Sequence, residues 1–174
     1  MKSEIQSRIL KKFIDETTEL NDVDLIFLKG HLLIEEVLTI IIENYVWHSK
    51  FLQLSKLTFY QKIQIARSIS LDESENDMWK LIEAINTYRN KLAHSLDETI
   101  HQKRINSIFD LYFEILSDEA SVIKQKENPT KQILSDTILV VLGFLGNFEA
   151  EIKRFKNLIV SLDKEINTHR HPTN

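Results

Sequence analysis

Arg89, Asn90 and His94 are the residues whose types and spacing could do chemistry in this chain. An arginine supplies a planar, permanently charged fork that grips phosphate or carboxylate through paired hydrogen bonds. A histidine titrates near neutral pH and can give or take a proton. Five residues in a helix turn the chain by roughly 140° and advance it by roughly 7.5 Å, so Arg89 and His94 flank a shallow face. Asn90 and His94, four apart, stack. Ser95-Leu96-Asp97-Glu98 has the Ser-x-x-Glu spacing of a capping box, which predicts a new helix from Ser95. The amides at its N-terminus would lie near His94 and could receive a phosphate. Binding and cleavage of a phosphodiester is the chemistry such a group would do. On physics alone the plainer reading is the stronger one, because an Arg and a His on a charged helix face are more often solvated surface residues.

The element that must carry these residues is a helix opening near Met78. Leu81, Ile85, Tyr88 and Leu92 fall at i, i+4, i+7 and i+11, an apolar stripe that leaves Arg89, Asn90 and His94 on a polar arc. A second helix, capped by Asn21 or Asp22 and running to about His48, is apolar on most of its circumference and so belongs at the centre of the fold. Glu35 and Glu36 interrupt it. A buried carboxylate needs a partner, and Arg89 is the expected partner of Glu35, the alternative being that the glutamates point to water.

The remaining chain fits around this pair. Residues 3–20 read as a first helix with Ile5, Ile9 and Phe13 on one stripe. Thr58-Phe59-Tyr60-Gln61 is a capping-box pattern that opens a helix through about Ser70, with Ile63, Ala66 and Ile69 inward. Residues 71–77 form an acidic connector. The helix predicted from Ser95 to about Ser117 carries His101, Lys103 and Arg104 near its start, the best local basic cluster for contacting an RNA backbone. Residues 118–128 read as a charged loop, and Asn128-Pro129 places a proline at the first position of a last helix over 129–167. In that helix Leu134, Ile138, Val141, Leu145, Phe148, Ile152, Phe155, Ile159, Leu162 and Ile166 make a heptad seam. Its second half is expected to pack on the first helix or on a second subunit, and Gly143 and Gly146 offer a place where it could break in two.

At 174 residues with three glycines and two prolines, the expectation is one domain, residues 1–174, with an all-α fold. The architecture predicted is an up-and-down bundle of five or six helices with a long C-terminal helix. The absence of cysteine excludes a disulfide scaffold, thiolate metal sites and a cysteine nucleophile, and fits a cytoplasmic protein. The start lacks the apolar run of a signal peptide, and the window Leu32 to Ile42 is too short and too acidic for a membrane span. A net charge of −4 argues against a general nucleic-acid coat but leaves room for a local basic site. No metal-ligand cluster, phosphate-binding glycine loop or nucleophile elbow is present, so no cofactor is expected. His31 and His48 read as ordinary helix residues, and His169 and His171 as accidents of a frayed tail.

Arg89-Asn90-Lys91-Leu92-Ala93-His94 resembles the signature of the HEPN superfamily, an arginine, a polar residue, three more and a histidine. Gly30-His31-Leu32-Leu33-Ile34-Glu35-Glu36-Val37-Leu38 is similar to the earlier long helix of those domains, which often carries an acidic residue facing the motif. The resemblance covers roughly residues 22–118. It implies an all-α domain of the kind found in prokaryotic toxins, phage-defence proteins and regulators such as mannitol-operon repressors. It further implies a metal-independent endoribonuclease that leaves a cyclic phosphate end, with Arg89, Asn90 and His94 catalytic and Glu35 in support. Related domains combine their sites across a dimer cleft, so the implied partners are a second copy, an RNA substrate and an antitoxin or defence-system protein, with no membrane. A non-catalytic domain that binds protein or nucleic acid is the other reading, and the acidic composition favours it. Toxins paired with a nucleotidyltransferase often carry a tyrosine two residues after the histidine. Leu96 stands there instead, which counts against a nucleotidylated-tyrosine mechanism.

Overall fold

The structure is a computed structural model that describes residues 4–71, 76–92 and 98–168. Among them there is no strand, and these described residues form seven α-helices: α1 (Glu4–Thr17), α2 (Val23–Tyr45), α3 (Phe59–Ser68), α4 (Asp77–Leu92), α5 (Glu98–Ile115), α6 (Glu119–Lys126) and α7 (Thr130–Ile166). The all-helical class and the long last helix are as the sequence predicts. The additional element is α6, in the stretch read as a loop. Asp118 starts it by accepting the Ser121 amide and hydroxyl, at 2.9 and 2.7 Å, and the segment contains no glycine or proline to oppose a helix.

The centre is α2, as its composition requires. Asp22 caps it by accepting the Leu25 amide at 3.0 Å. Ile26, Phe27, Ile34, Val37, Leu38, Ile41 and Ile42 are all buried. Its most extensive interface is with α7, and the two run parallel. Gly30 meets Ile138 at one end, Asn44 donates to Glu149 at 2.8 Å further on, and Lys156 donates to the Val46 carbonyl at 2.7 Å. In the opposite direction runs α1, tied to α2 by Lys29–Glu16 and by Arg8 and Lys12 on Glu36. Glu36 therefore points outward and is paired by α1. The α4 helix is antiparallel to α2, with Tyr88 near its C-terminal end donating to Asp24 near the start of α2.

No break occurs in α7 at Gly143 or Gly146. Gly146 instead lets α1 approach, where a Cβ would meet Gln6 Cβ and Cγ at 2.7 Å; Gln6 donates to the Gly143 carbonyl at 2.9 Å and to the Asn147 amide oxygen at 3.1 Å. Pro129 caps α7 from outside, one position before the predicted place. The seam divides sharply along its length. Leu134 through Ile152 are buried, whereas Phe155, Leu162 and Ile166 are exposed, together with Leu158. Among the described residues, α1 does not cover that second half. Among the described residues α7 is the one helix long and apolar enough to cross a membrane, and 56% of its most apolar window is buried inside the bundle.

Candidate active site

Two helix faces converge on a pocket of about 480 Å³. From α2 come His31 and Glu35, four apart and so stacked on one face. From α4 come Asn86, Arg89 and Asn90, an i, i+3, i+4 set on one face of the facing helix. The roof is the entry to α3: Leu57, Thr58, Phe59 and Tyr60. Local sequence fixes each wall. The predicted capping box at Thr58 is complete, with the Gln61 amide donating to the Thr58 hydroxyl at 3.2 Å and the Thr58 amide donating to Gln61 Oε1 at 2.9 Å. Asn76 Oδ1 accepts the Met78 amide at 2.9 Å and starts α4. Leu81, Ile82 and Ile85 bury its apolar stripe, and Tyr88 packs edge-on against Phe27 with ring centroids 4.6 Å apart. Burial and the adjacent Asp24 carboxylate push the Tyr88 phenol above its ordinary range, so it remains a neutral hydrogen-bond donor. Arg89, the next residue, is thereby held at the rim.

The partner of Glu35 is Lys62 and not Arg89. Lys62 Nζ lies 2.7 Å from Glu35 Oε1, and the lysine side chain is only 7% exposed. A lysine buried to that degree cannot leave its charge unmatched, and Glu35 is the carboxylate within reach. Arg89 lines the same pocket but has no carboxylate partner among the described residues; its nearest polar contact is Asn90 Oδ1 at 3.5 Å. The arginine charge is available to an anion.

His31 is the residue that sequence reasoning missed. It is 4% exposed, its ring stacks on Phe59 with centroids 4.2 Å apart and planes 25° from parallel, and its Nε2 is buried without a hydrogen-bond partner. Burial pulls its imidazole down to about 4, a shift that Glu35 opposes and Arg89 reinforces, so the ring is neutral at pH 7. The available signal was a histidine four residues before Glu35 on a helix otherwise suited to full burial. His48 is not a helix residue, since α2 ends three positions earlier.

The basic cluster expected on α5 divides. His101 turns its ring edge-on to Tyr88, centroids 6.0 Å apart, while Lys103 and Arg104 are exposed. His94 and the Ser95 capping box lie outside the described residues, as do His169 and His171. No group of three or more His, Cys, Asp or Glu side chains among the described residues could hold a metal ion. No protein-family model, curated protein or solved structure matches this chain.

Proposed function

We propose that this chain is a metal-independent endoribonuclease of HEPN type, acting in the cytoplasm as a toxin or phage-defence component. The observation that carries the reading is Arg89. It stands at the mouth of a pocket shared with Asn90 and Glu35, from the two stretches that carry the resemblance, and among the described residues no carboxylate neutralises it. In this reading the 2′-hydroxyl of RNA attacks the adjacent phosphorus and the bond to the next nucleotide's 5′-oxygen breaks. A cyclic phosphate and a 5′-hydroxyl result. His94 moves the proton, Arg89 stabilises charge on the phosphoryl oxygens, and Asn90 orients the histidine or a non-bridging oxygen. Glu35 supports the wall through Lys62. The up-and-down core of such a domain corresponds to α1–α5 with α7, and α6 is an additional short helix.

One Arg–His pair is a sparse site, so the proposal includes a homodimer. Two surfaces suit it: the rim at the end of α4, and the exposed half of the α7 seam. The test of function compares folded wild type with Arg89→Ala, His94→Ala and Lys91→Ala on single-stranded RNA in EDTA, with any partner encoded beside the gene supplied. Loss of general acid–base catalysis typically costs about a hundred- to ten-thousand-fold, and loss of a donor to developing charge about a hundred- to a thousand-fold, so the first two variants should be silent on a gel and the third active. Arg89→Lys should rescue poorly, because the planar fork is lost. Equal cleavage by wild type and His94→Ala, or none by either, overturns the ribonuclease reading in favour of a non-catalytic binding domain.

A further inference from the structure

The interior of the pocket is not built for phosphate. Its deepest polar groups are the His31 imidazole and the Asn86 amide, with relative exposures of 4% and 9%, beside the Glu35 carboxylate that Lys62 holds in place. Uncharged groups and a carboxylate suit a neutral ligand with hydrogen-bond donors of its own. Flat rings border the same space: Phe59, already stacked on His31, and the half-exposed Tyr60. His31 Nε2 is the unexplained feature. A buried imidazole nitrogen without a partner costs free energy; it is closed to solvent here, but the ring that carries it lines the pocket, so a ligand that draws the ring edge towards it can satisfy it.

We propose that this pocket receives one unpaired base of single-stranded RNA, a base with an exocyclic amino group, and that His31 is a specificity-determining residue. The inference rests on the ribonuclease reading for its choice of polymer, and deepens it. Sequence-specific recognition of RNA proceeds by splaying a base from the strand, stacking it on aromatic rings and bonding its edge. A carboxylate accepts from an exocyclic amine, a primary amide bonds in both directions, and Arg89 at the rim meets the phosphate that the seated base brings with it. Uracil has no exocyclic amine, so it lacks the donor that the neutral His31 ring and the neighbouring Glu35 carboxylate would both accept from. A site built to hydrogen-bond its ligand rejects the analogue that lacks the group far more strongly than an apolar site would.

The experiment uses the full chain and 2′-O-methyl tetranucleotides of uniform base, which cannot be cleaved because the attacking hydroxyl is blocked. Fluorescence anisotropy should show at least one of the A, C and G oligonucleotides binding ten-fold or more tightly than the U oligonucleotide. His31→Phe keeps the stack on Phe59 and removes the polar edge; it should lose that preference while melting as a folded protein. Should that variant not fold, the imidazole 15N resonances of wild type serve, and those of His31 should move with the preferred oligonucleotide and stay in place with the U form. Equal binding of all four, no binding of any, a preference retained by His31→Phe, or His31 resonances indifferent to the base would overturn the proposal. Cleavage is scored separately on natural RNA. Base-selective binding without cleavage leaves the pocket standing and removes the ribonuclease, whereas cleavage without selectivity does the reverse.

Discussion

Alanine at each of the three glycines should separate the cost of crowding from the benefit of helix propensity. Gly30 lies in α2, Gly143 and Gly146 lie in α7, and none has a positive φ. Each therefore weakens its helix by about 1 kcal/mol relative to alanine, and that gain is common to all three substitutions. What differs is the space. At Gly143 the nearest atom to an added Cβ is Gln6 Nε2 at 4.0 Å, so Gly143→Ala should stabilise by about 0.5–1 kcal/mol. At Gly30 the Cβ would sit 2.8–3.0 Å from three side-chain carbons of Ile138, which is fully buried and has nowhere to turn. Overpacking of this kind costs about 1–3 kcal/mol, and subtracting the propensity gain leaves a net loss of about 0–2 kcal/mol. At Gly146 the Cβ would meet Gln6 Cβ and Cγ at 2.7 Å and its Cα at 3.2 Å. A backbone atom cannot rotate away, so α1 itself must shift, and the net loss should reach about 2 kcal/mol or more. Urea and thermal melts check the order, with about 2–4 °C expected per kcal/mol for a chain of this size. Ile138→Ala should absorb part of the Gly30→Ala cost, giving a coupling of about 0.5 kcal/mol or more in a double-mutant cycle. A Gly146→Ala protein as stable as wild type, or a Gly143→Ala protein destabilised as much as Gly146→Ala, would refute the close crossing of α1 over α7.

Lys62→Met should destabilise the protein by about 1–2 kcal/mol, less than a fully buried pair would lose because Glu35 is 31% exposed, and Glu35→Gln added to it should recover part of the loss. His31 makes stability depend on pH: its folded value of about 4 lies below the ordinary 6.5, so the unfolded chain takes up the proton first as pH falls. Roughly 3 kcal/mol of stability should be lost between pH 6.5 and 4, with no further loss from this group below, and urea titrations of His31→Phe should lack that portion of the slope. Truncation after Asn157 removes Leu158, Leu162 and Ile166, all exposed, so the bundle should melt within a few degrees of wild type. Light scattering then decides the assembly: a dimer that survives the cut uses the α4 rim, and one that is lost uses the seam.

Local pattern carried most of the fold. The apolar circumference of α2, the stripe of α4 and the Thr58 capping box are all short-range signals, and each is where its spacing predicts; the start of α7 falls within one position of its prediction. Long-range pairings were not legible in the same way. Lys62 reads as a surface residue beside Ile63, and only its placement against a helix 27 positions earlier shows why it is buried. Arg89 was the natural partner for Glu35 on charge alone, yet charge says nothing about which cation the packing delivers. His31 escaped notice because one polar residue on an apolar helix has no period to betray it. The seam of α7 was visible over its full length, but where burial ends depends on where α1 begins.

The parallel pairing of α2 with α7 imposes an order on synthesis. Asn44 meets Glu149 across 105 residues, and Val46 meets Lys156 across 110. At translation speeds of about 5–20 residues per second, α2 waits roughly 5–20 s on the ribosome for its largest partner. Throughout that interval a helix apolar on nearly every side has only α1, α3 and α4 to shelter it. The wall that carries His31 and Glu35 belongs to that helix, so the pocket gains its final support only when the last third of the chain has emerged. Nascent chains and truncated products carry the pocket residues of α2 and α4 but lack the helix packed behind α2.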